Sequence, residues 1–519
     1  MHAANRVAFN TGILYIRMAV TVFISLYATR LVLNALGVQD FGLFNLVGGL
    51  IAMLGFLNGS MAAATQRFIS FAQGANDLEN IKRIFNVSII LHILIAIMVV
   101  VVFEIAGYFF FNGILNIAPE RLHIAKIIYQ FMVVSTLFTI ISVPYEAVIT
   151  SHENMTFYAI LGIIEAILKL AVAFYISYST YDHLMTYGFL LATISILLLI
   201  VRRVYCHRNY PECEINFRRY YDKPMFKNIT SFAGWSLLGT AGSMIANYGQ
   251  GIVINLFFGT IVNAAQGIAN QISGQLGVFS TTLIKALNPI IAKSEGAGNR
   301  ELMIKATIMG SKVSFFLMMV LHIPFLIEMP YILALWLKNV PAYAVIFCRL
   351  LLIRNLIEQL FIPLVSSLSA QGNIKGFQIA SFVLLLFPLT LSYILFSFNY
   401  PPYSLYIIFI IYSIMASCII LYYTNKNFQL SIRDFLINVL LRCLLSFVIV
   451  FSVSLVPFFL IGNSLLSLIT VACVSTILFI FTIYFIGFTM EEREKVRQVF
   501  IVLVNKIGIK IFNNTIKPI

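Results

Sequence analysis

Scarce ionisable side chains stand inside the long apolar stretches of this sequence, and any chemistry it performs has to start from them. Arg17 and Arg30 fall in the first stretch, Lys285 in a middle one, Arg349, Arg354 and Glu358 in a later one, and Arg442 near the end. Placing such a group at the centre of a hydrocarbon span costs about 2.5–3.5 kcal/mol on insertion scales, so each is a functional candidate. A guanidinium presents a planar fork of donors matched to phosphate oxygens, and an ammonium a mobile point charge. Arg17, Arg30, Lys285, Arg349 and Arg354 are therefore candidates for binding an anionic group.

Each has a plainer alternative. Arg30 lies near a helix end and can snorkel to the interface, which is harder for Arg17 at mid-span. Lys285 can be an anchor of the positive-inside kind. Arg354 with Glu358, and Glu165 with Lys169, are spaced i, i+4 and can neutralise each other on one helix face. Glu146 follows Pro144, where a kink is expected. Glu146, Glu165 and Glu358 are candidates for proton or cation coupling. Other chemistry finds no support. There is no Gly-rich loop with the Lys-Ser/Thr ending of a nucleotide-binding loop. Cys206, His207 and Cys213 lack the paired spacing of a structural zinc site. No cofactor and no enzymatic activity are expected.

The elements that carry these residues are transmembrane helices. Of 519 residues, 60% are hydrophobic and 10% charged, far from the roughly 25% charged of a soluble chain. Apolar runs long enough to cross a bilayer as helix recur throughout, about fourteen of them, centred near Val20, Leu50, Ala96, Thr136, Ile164, Ile194, Ala246, Phe279, Leu317, Ile353, Leu384, Tyr412, Val448 and Leu478. The net charge of +14 sits in short connections, so it reports orientation and not nucleic-acid binding. Lys82, Arg83, Arg202, Arg203, Arg208, Lys293, Arg300 and Lys426 fall on one side and little beyond Arg121, Lys126 and Lys338 on the other, which predicts both termini in the cytoplasm. The opposite connections, such as Asn34 to Asp40, Gly259 to Asn263 and Asn399 to Ser404, are too short for a catalytic domain. The first apolar run shows no cleavage site and reads as a retained helix. The cysteines suggest no disulfide framework.

The chain also repeats itself. Gln73-Gly74-Ala75-Asn76-Asp77 resembles Glu295-Gly296-Ala297-Gly298-Asn299, an offset of 222 (296 − 74). Pro144 and Asn154 match Pro363 and Asn373 at 219 (363 − 144, 373 − 154), and Asn34 matches Asn255 at 221 (255 − 34). Six spans separate the copies, an even number, so both keep the same orientation, as parallel repeats do. The expected organisation is an N-terminal lobe over 1–201, a basic linker over 202–230, a second lobe over 231–425, two appended spans over 426–489, and an amphipathic tail over 490–519 lying on the membrane surface.

The stretch Thr29-Arg30-Leu31, Leu36-Gly37, Asp40-Phe41-Gly42-Leu43-Phe44 resembles Wzx-type polysaccharide flippases. So do Val143-Pro144-Tyr145-Glu146-Ala147, Glu153-Asn154-Met155, Tyr158-Ala159, Trp336-Leu337, Val340-Pro341 and Ser369-Ala370-Gln371-Gly372-Asn373-Ile374-Lys375. That family belongs to the multidrug/oligosaccharidyl-lipid/polysaccharide exporter superfamily, and the resemblance runs from about Asn5 to about Lys426. It implies an all-α polytopic membrane protein of two six-helix lobes around a central cavity. The implied task is flipping undecaprenyl-diphosphate-linked oligosaccharide across the inner, cytoplasmic membrane, with a lipid-linked oligosaccharide as substrate and membrane lipids, a polysaccharide polymerase and glycosyltransferases as partners. Cavity arginines on the first helix and a basic residue on the eighth are similar to the pattern of lipid II flippases, which is why Arg17, Arg30 and Lys285 lead the set. Two alternatives stand beside this. A cation-coupled multidrug exporter would favour acidic cavity residues, and a polymerase or ligase would need sizeable outer loops.

Overall fold

In hydrocarbon a chain must satisfy its backbone polar groups internally, and apolar length without closed strands leaves helix as the solution. The computed structural model describes residues 3–52, 55–114, 119–337 and 340–494, and among these every regular element is helical. The tail expected over 490–519 lies, beyond Glu494, outside the described residues, as does Lys338.

Ten helices of the described residues are long and apolar enough to cross a membrane. They are the first limb of α1 (Ala3–Ala52), α3 (Leu78–Phe109), α4 (Pro119–Ser151), α5 (Met155–Tyr178), α6 (His183–Asn209), α9 (Arg300–Trp336), α12 (Lys375–Ser397), α13 (Ser404–Phe428), α15 (Arg442–Ile461) with the short α14 (Ile432–Phe435) before it, and α16 (Leu465–Thr482). The other expected spans, near Leu50, Ala246, Phe279 and Ile353, are helical too. They fall in the second limb of α1 with α2 (Gly55–Gly74), in α8 (Lys223–Gly296), which α7 (Phe217–Tyr220) precedes, and in α10 (Ala344–Gln359) with α11 (Ile362–Gln371). Large apolar side chains such as Phe23, Ile97, Phe109 and Phe459 are more than half exposed, as on a surface that faces lipid. This is an all-α multi-pass membrane protein.

The repeat seen in the sequence is a repeat of backbone geometry. Ala75 N–H donates to Phe71 O and Ala297 N–H to Lys293 O, while Asp77 N–H donates to Ala72 O and Asn299 N–H to Ser294 O, every partner shifted by 222 (297 − 75, 293 − 71, 299 − 77, 294 − 72). Asn76 and Gly298 hold the positive φ of that turn, at 55° and 70°. The Asp77 and Asn299 side chains then accept from Asn80 N–H and Leu302 N–H, each at 3.0 Å, capping α3 and α9. Glu153 and Gly372, 219 apart (372 − 153), are likewise a positive-φ pair.

Two expected loops are single-residue kinks. At Asn34–Asp40 and Gly259–Asn263 the helix runs on and breaks only at Gly37 (φ 74°, ψ 169°) and Gly259 (φ 74°, ψ −171°). A β-carbon at either would clash with its own backbone, so the turn uses glycine in both copies.

By packing, the chain divides into a first unit of 1–248, 281–307 and 365–386, and a second of 249–280, 308–364 and 387 onward. In the first, the core of α1, α3, α4, α5 and α6 includes Phe103, Ile128, Tyr129, Ala173 and Leu184. The segment expected as a linker is packed against this unit. Asn86 Nδ2 donates to Glu214 O at 2.7 Å, Asn216 N–H donates to Asn86 Oδ1 at 2.9 Å, and Lys82 pairs with Glu214 at 2.9 Å. Glu212, Cys213 and Tyr220 are buried there.

In the second unit, Pro324 and Pro330 interrupt α9, which departs from helical geometry at Glu328. A proline at 330 cannot donate to the carbonyl four residues earlier, that of Leu326. Lys312 on the same helix is fully buried and pairs with Glu492 at 2.8 Å.

Candidate functional site

Helix α5 builds the platform. Asn154 caps its start by accepting from Phe157 N–H at 3.1 Å, which places Tyr158, Gly162, Glu165 and Lys169 along one face at helical spacing. The Arg17 guanidinium of α1 lies over the Tyr158 ring, its Cζ 4.3 Å from the centroid. Gly162, one turn on, leaves the space it occupies, since a β-carbon there would stand 2.2 Å from Arg17 Nε. The ring supplies a quadrupole for the cation and the bare backbone supplies room. A cavity of about 370 Å³ opens beside Arg17, lined also by Thr21, Ser25, Thr29, Glu165 and Lys169.

Lys285 of α8 joins Arg17 at Tyr158, donating to the phenol oxygen, and its Nζ is 3.1 Å from Glu146 Oε1 on α4. Arg202, on the last turns of α6, donates to Ser142 Oγ at 2.9 Å and reaches to 3.8 Å of Glu146 Oε2. Tyr158 packs with Leu14, Met155 and Ala286, so the cluster sits on an apolar floor. Three cations thus face one carboxylate, Lys285 and Arg202 as ion pairs and Arg17 from over the Tyr158 ring. An excess of positive charge with low-dielectric walls attracts anions.

The structure distributes the expected residues unevenly. Arg17 and Lys285 share a ring, and Glu146, expected as an ion-coupling residue, is bound to the same cluster. Arg30 is exposed, away from those contacts. Glu165 forms its i, i+4 pair with Lys169 at 2.7 Å, facing the cavity that Arg17 lines. Arg349 and Arg354 belong to the second unit. Arg349 is held apart from the Tyr158 cluster: its Nε donates to Leu326 O at 2.8 Å and its Nη2 to Ile327 O at 3.0 Å, carbonyls at the α9 kink, and it lines a cavity of the second unit with Leu326, Ile353 and Leu356. Arg354 pairs with Glu358 at 2.8 Å, and Ser413 of α13 donates to the same carboxylate at 2.7 Å, which makes the pair a brace between α10 and α13.

Sequence reading does not single out Gly162, Arg67 or Lys312, and it gives Tyr158 and Arg202 no place in a site. Arg202 reads as part of a connection because the apolar run ends before it, yet α6 continues to Asn209. Arg67 donates from Nε and Nη2 to Ala370 O at 3.1 and 2.7 Å and lies over Phe68 and Phe71. Tyr158 and Gly162 carried a legible signal, an aromatic and a glycine at i, i+4 on a helix that also bears an ion pair. Nothing in one dimension tied that face to Arg17.

The sequence matches no family model and no curated protein. Solved structures share its fold. One is an outward-facing multidrug resistance MATE family transporter of the MOP superfamily, at TM-score 0.69 and 15% identity, over 82% of this chain and 96% of the other. Another is a MATE protein in a bent conformation, at TM-score 0.72 and 15% identity over 83% and 96%. A third is a MOP superfamily transporter from Pyrococcus furiosus Vc1, described by the reverse polarity of its binding pocket and a different function suggested by it, at TM-score 0.66 and 15% identity over 82% and 96%. The likeness is one of fold, and the chain has the fold of the MATE transporters.

Proposed function

We propose that this chain is a flippase that carries undecaprenyl-diphosphate-linked oligosaccharide from the inner to the outer leaflet of the cytoplasmic membrane by alternating access, for surface polysaccharide assembly. The observation that carries this reading is the cluster of Arg17, Lys285 and Arg202 around Tyr158 and Glu146. Its formal balance is three positive charges against one negative. A diphosphate linking a polyprenol to a sugar carries two negative charges, so cluster and head group together are neutral, which lowers the cost of bringing that head group into a low-dielectric surrounding.

The polyprenyl tail stays in the lipid while the head group crosses. Enzymes that build and polymerise the glycan are the partners such a transporter serves. Both termini are cytoplasmic in this reading, from the Lys/Arg bias of the connections.

A cation-coupled multidrug exporter is the second reading, favoured by the solved structure of the same fold described as a multidrug resistance transporter. A cationic drug needs a carboxylate that the protein's own cations leave uncompensated. Glu146, Glu165 and Glu358 each already hold a lysine or arginine, which supports the anionic substrate instead.

The test is deletion in the host followed by complementation, reading surface polysaccharide and membrane protein level together. Arg17→Ala, Lys285→Ala and Gly162→Ala should abolish or sharply reduce polysaccharide at normal protein level. Full export with Arg17→Ala, or loss of drug resistance with polysaccharide intact, would overturn the reading.

A further inference from the structure

We infer that Glu146 is the internal counter-anion of the cationic cluster: it holds Lys285 until phosphate arrives, yields it to the phosphate, and takes it back for release. The inference rests on the flippase reading above and adds to it a device that regulates affinity.

The Glu146 and Lys285 side chains are 30% and 34% exposed, so an incoming anion can reach the pair. The contrast is with Lys312 and Glu492, at 1% and 17%, where nothing can enter without unpacking the helix. Glu146 also has a second cation to fall back on, since Arg202 stands 3.8 Å from its other oxygen. Giving up Lys285 therefore does not strand a carboxylate in an apolar surrounding, the step that makes breaking most buried pairs costly. Lys285 in turn keeps its hydrogen bond to the Tyr158 hydroxyl, so its ammonium stays beside Arg17 when it changes partner. An ammonium has three donors, and Glu146 and Tyr158 engage two of them.

The device answers a requirement of transport. A site of three cations without a carboxylate would bind a diphosphate tightly in both leaflets and release it slowly, and uniform tight binding does not speed turnover. A tethered carboxylate competing for one cation weakens the bound state by a fixed amount and is present at high effective concentration for the exchange.

The experiment uses the purified full-length protein in nanodiscs with farnesyl diphosphate as the binding probe, farnesyl monophosphate as its control, and reconstituted vesicles to follow transbilayer movement of a fluorescent polyprenyl diphosphate. Glu146→Gln should bind the diphosphate about tenfold more tightly than wild type, the effect of removing one partly screened competing charge, and should move it more slowly. Glu146→Asp, which keeps the charge, should return both towards wild type. Equal affinity for Glu146→Gln and wild type, with binding still lost in Arg17→Ala, would overturn the counter-anion while leaving the anion site intact. Weakened binding in a folded, monodisperse Glu146→Gln would overturn it also, since Glu146 would then only orient Lys285. No diphosphate binding by wild type would remove the flippase reading and this inference with it.

Discussion

Gly74 and Gly296, equivalent positions of the internal repeat, meet backbone to backbone where α2 approaches α8. A β-carbon on Gly74 would stand 2.0 Å from the Lys293 carbonyl oxygen, and one on Gly296 would stand 1.9 Å from the Phe71 carbonyl oxygen. Each glycine therefore makes room for the other copy of the same turn.

Gly74→Ala and Gly296→Ala should each destabilise the protein by at least the ~1–3 kcal/mol of ordinary overpacking, because backbone and not a side chain has to move. Thermal melting of the purified protein, followed by size-exclusion profile, measures this. Gly12 and Gly234 have nothing within 4 Å of such a β-carbon. Alanine at either should be neutral or raise the melting temperature, since helical glycine costs about 1 kcal/mol relative to alanine. Equal melting across all four variants would show that α2 and α8 do not approach as described.

Lys312 and Glu492 should behave as a coupled pair. Glu492 accepts from Lys312 at 2.8 and 3.0 Å and from Thr489 N–H at 2.7 Å, which ties the chain after α16 to α9. Removing one partner leaves the other charge unpaired, at a cost of about 3–5 kcal/mol, while removing both can be nearly neutral. In a double-mutant cycle, Lys312→Met and Glu492→Gln should each lower the melting temperature, and the double variant should recover most of the loss. Additive losses would mean that the two residues act separately.

Glu212 predicts an acid-side dependence. Burial pushes its carboxyl up, but the hydrogen bond from His152 and one from its own backbone amide outweigh burial and hold it below the ordinary carboxylate value. A depressed folded value means that the contribution to stability is fully present above the unfolded value of about 4.3 and is lost as pH falls through the folded one. The wild-type melting temperature should therefore fall below about pH 4.5, and that of Glu212→Gln should be lower at pH 7 and flatter on the acid side. Parallel curves would assign the acid response to other groups.

Much of the fold was legible because bilayer insertion leaves a one-dimensional record. Apolar runs of the required length and the 222-residue offset of the Gly74 and Gly296 turns are properties of position along the chain. The i, i+4 pairs of Glu165 with Lys169 and Arg354 with Glu358 were legible for the same reason, since helix geometry alone brings them together. The kinks at Gly37 and Gly259 were less so. A polar stretch between two apolar runs reads as a loop, and only the dihedral angles reveal that one glycine makes the turn.

By itself the sequence determined that the chain is a repeated, all-helical membrane protein with a few cations inside its spans. It left open which of those cations belong together, because insertion cost depends on residue type and depth, and partnership depends on helix rotation, kinks and crossing. Tertiary structure decided that Arg17 and Lys285 meet at Tyr158, that Arg202 joins them through Glu146, and that Arg349 satisfies the Leu326 and Ile327 carbonyls. The reason is physical: Gly162 gives Arg17 a place on one helix, and Pro330 creates a need for Arg349 on another.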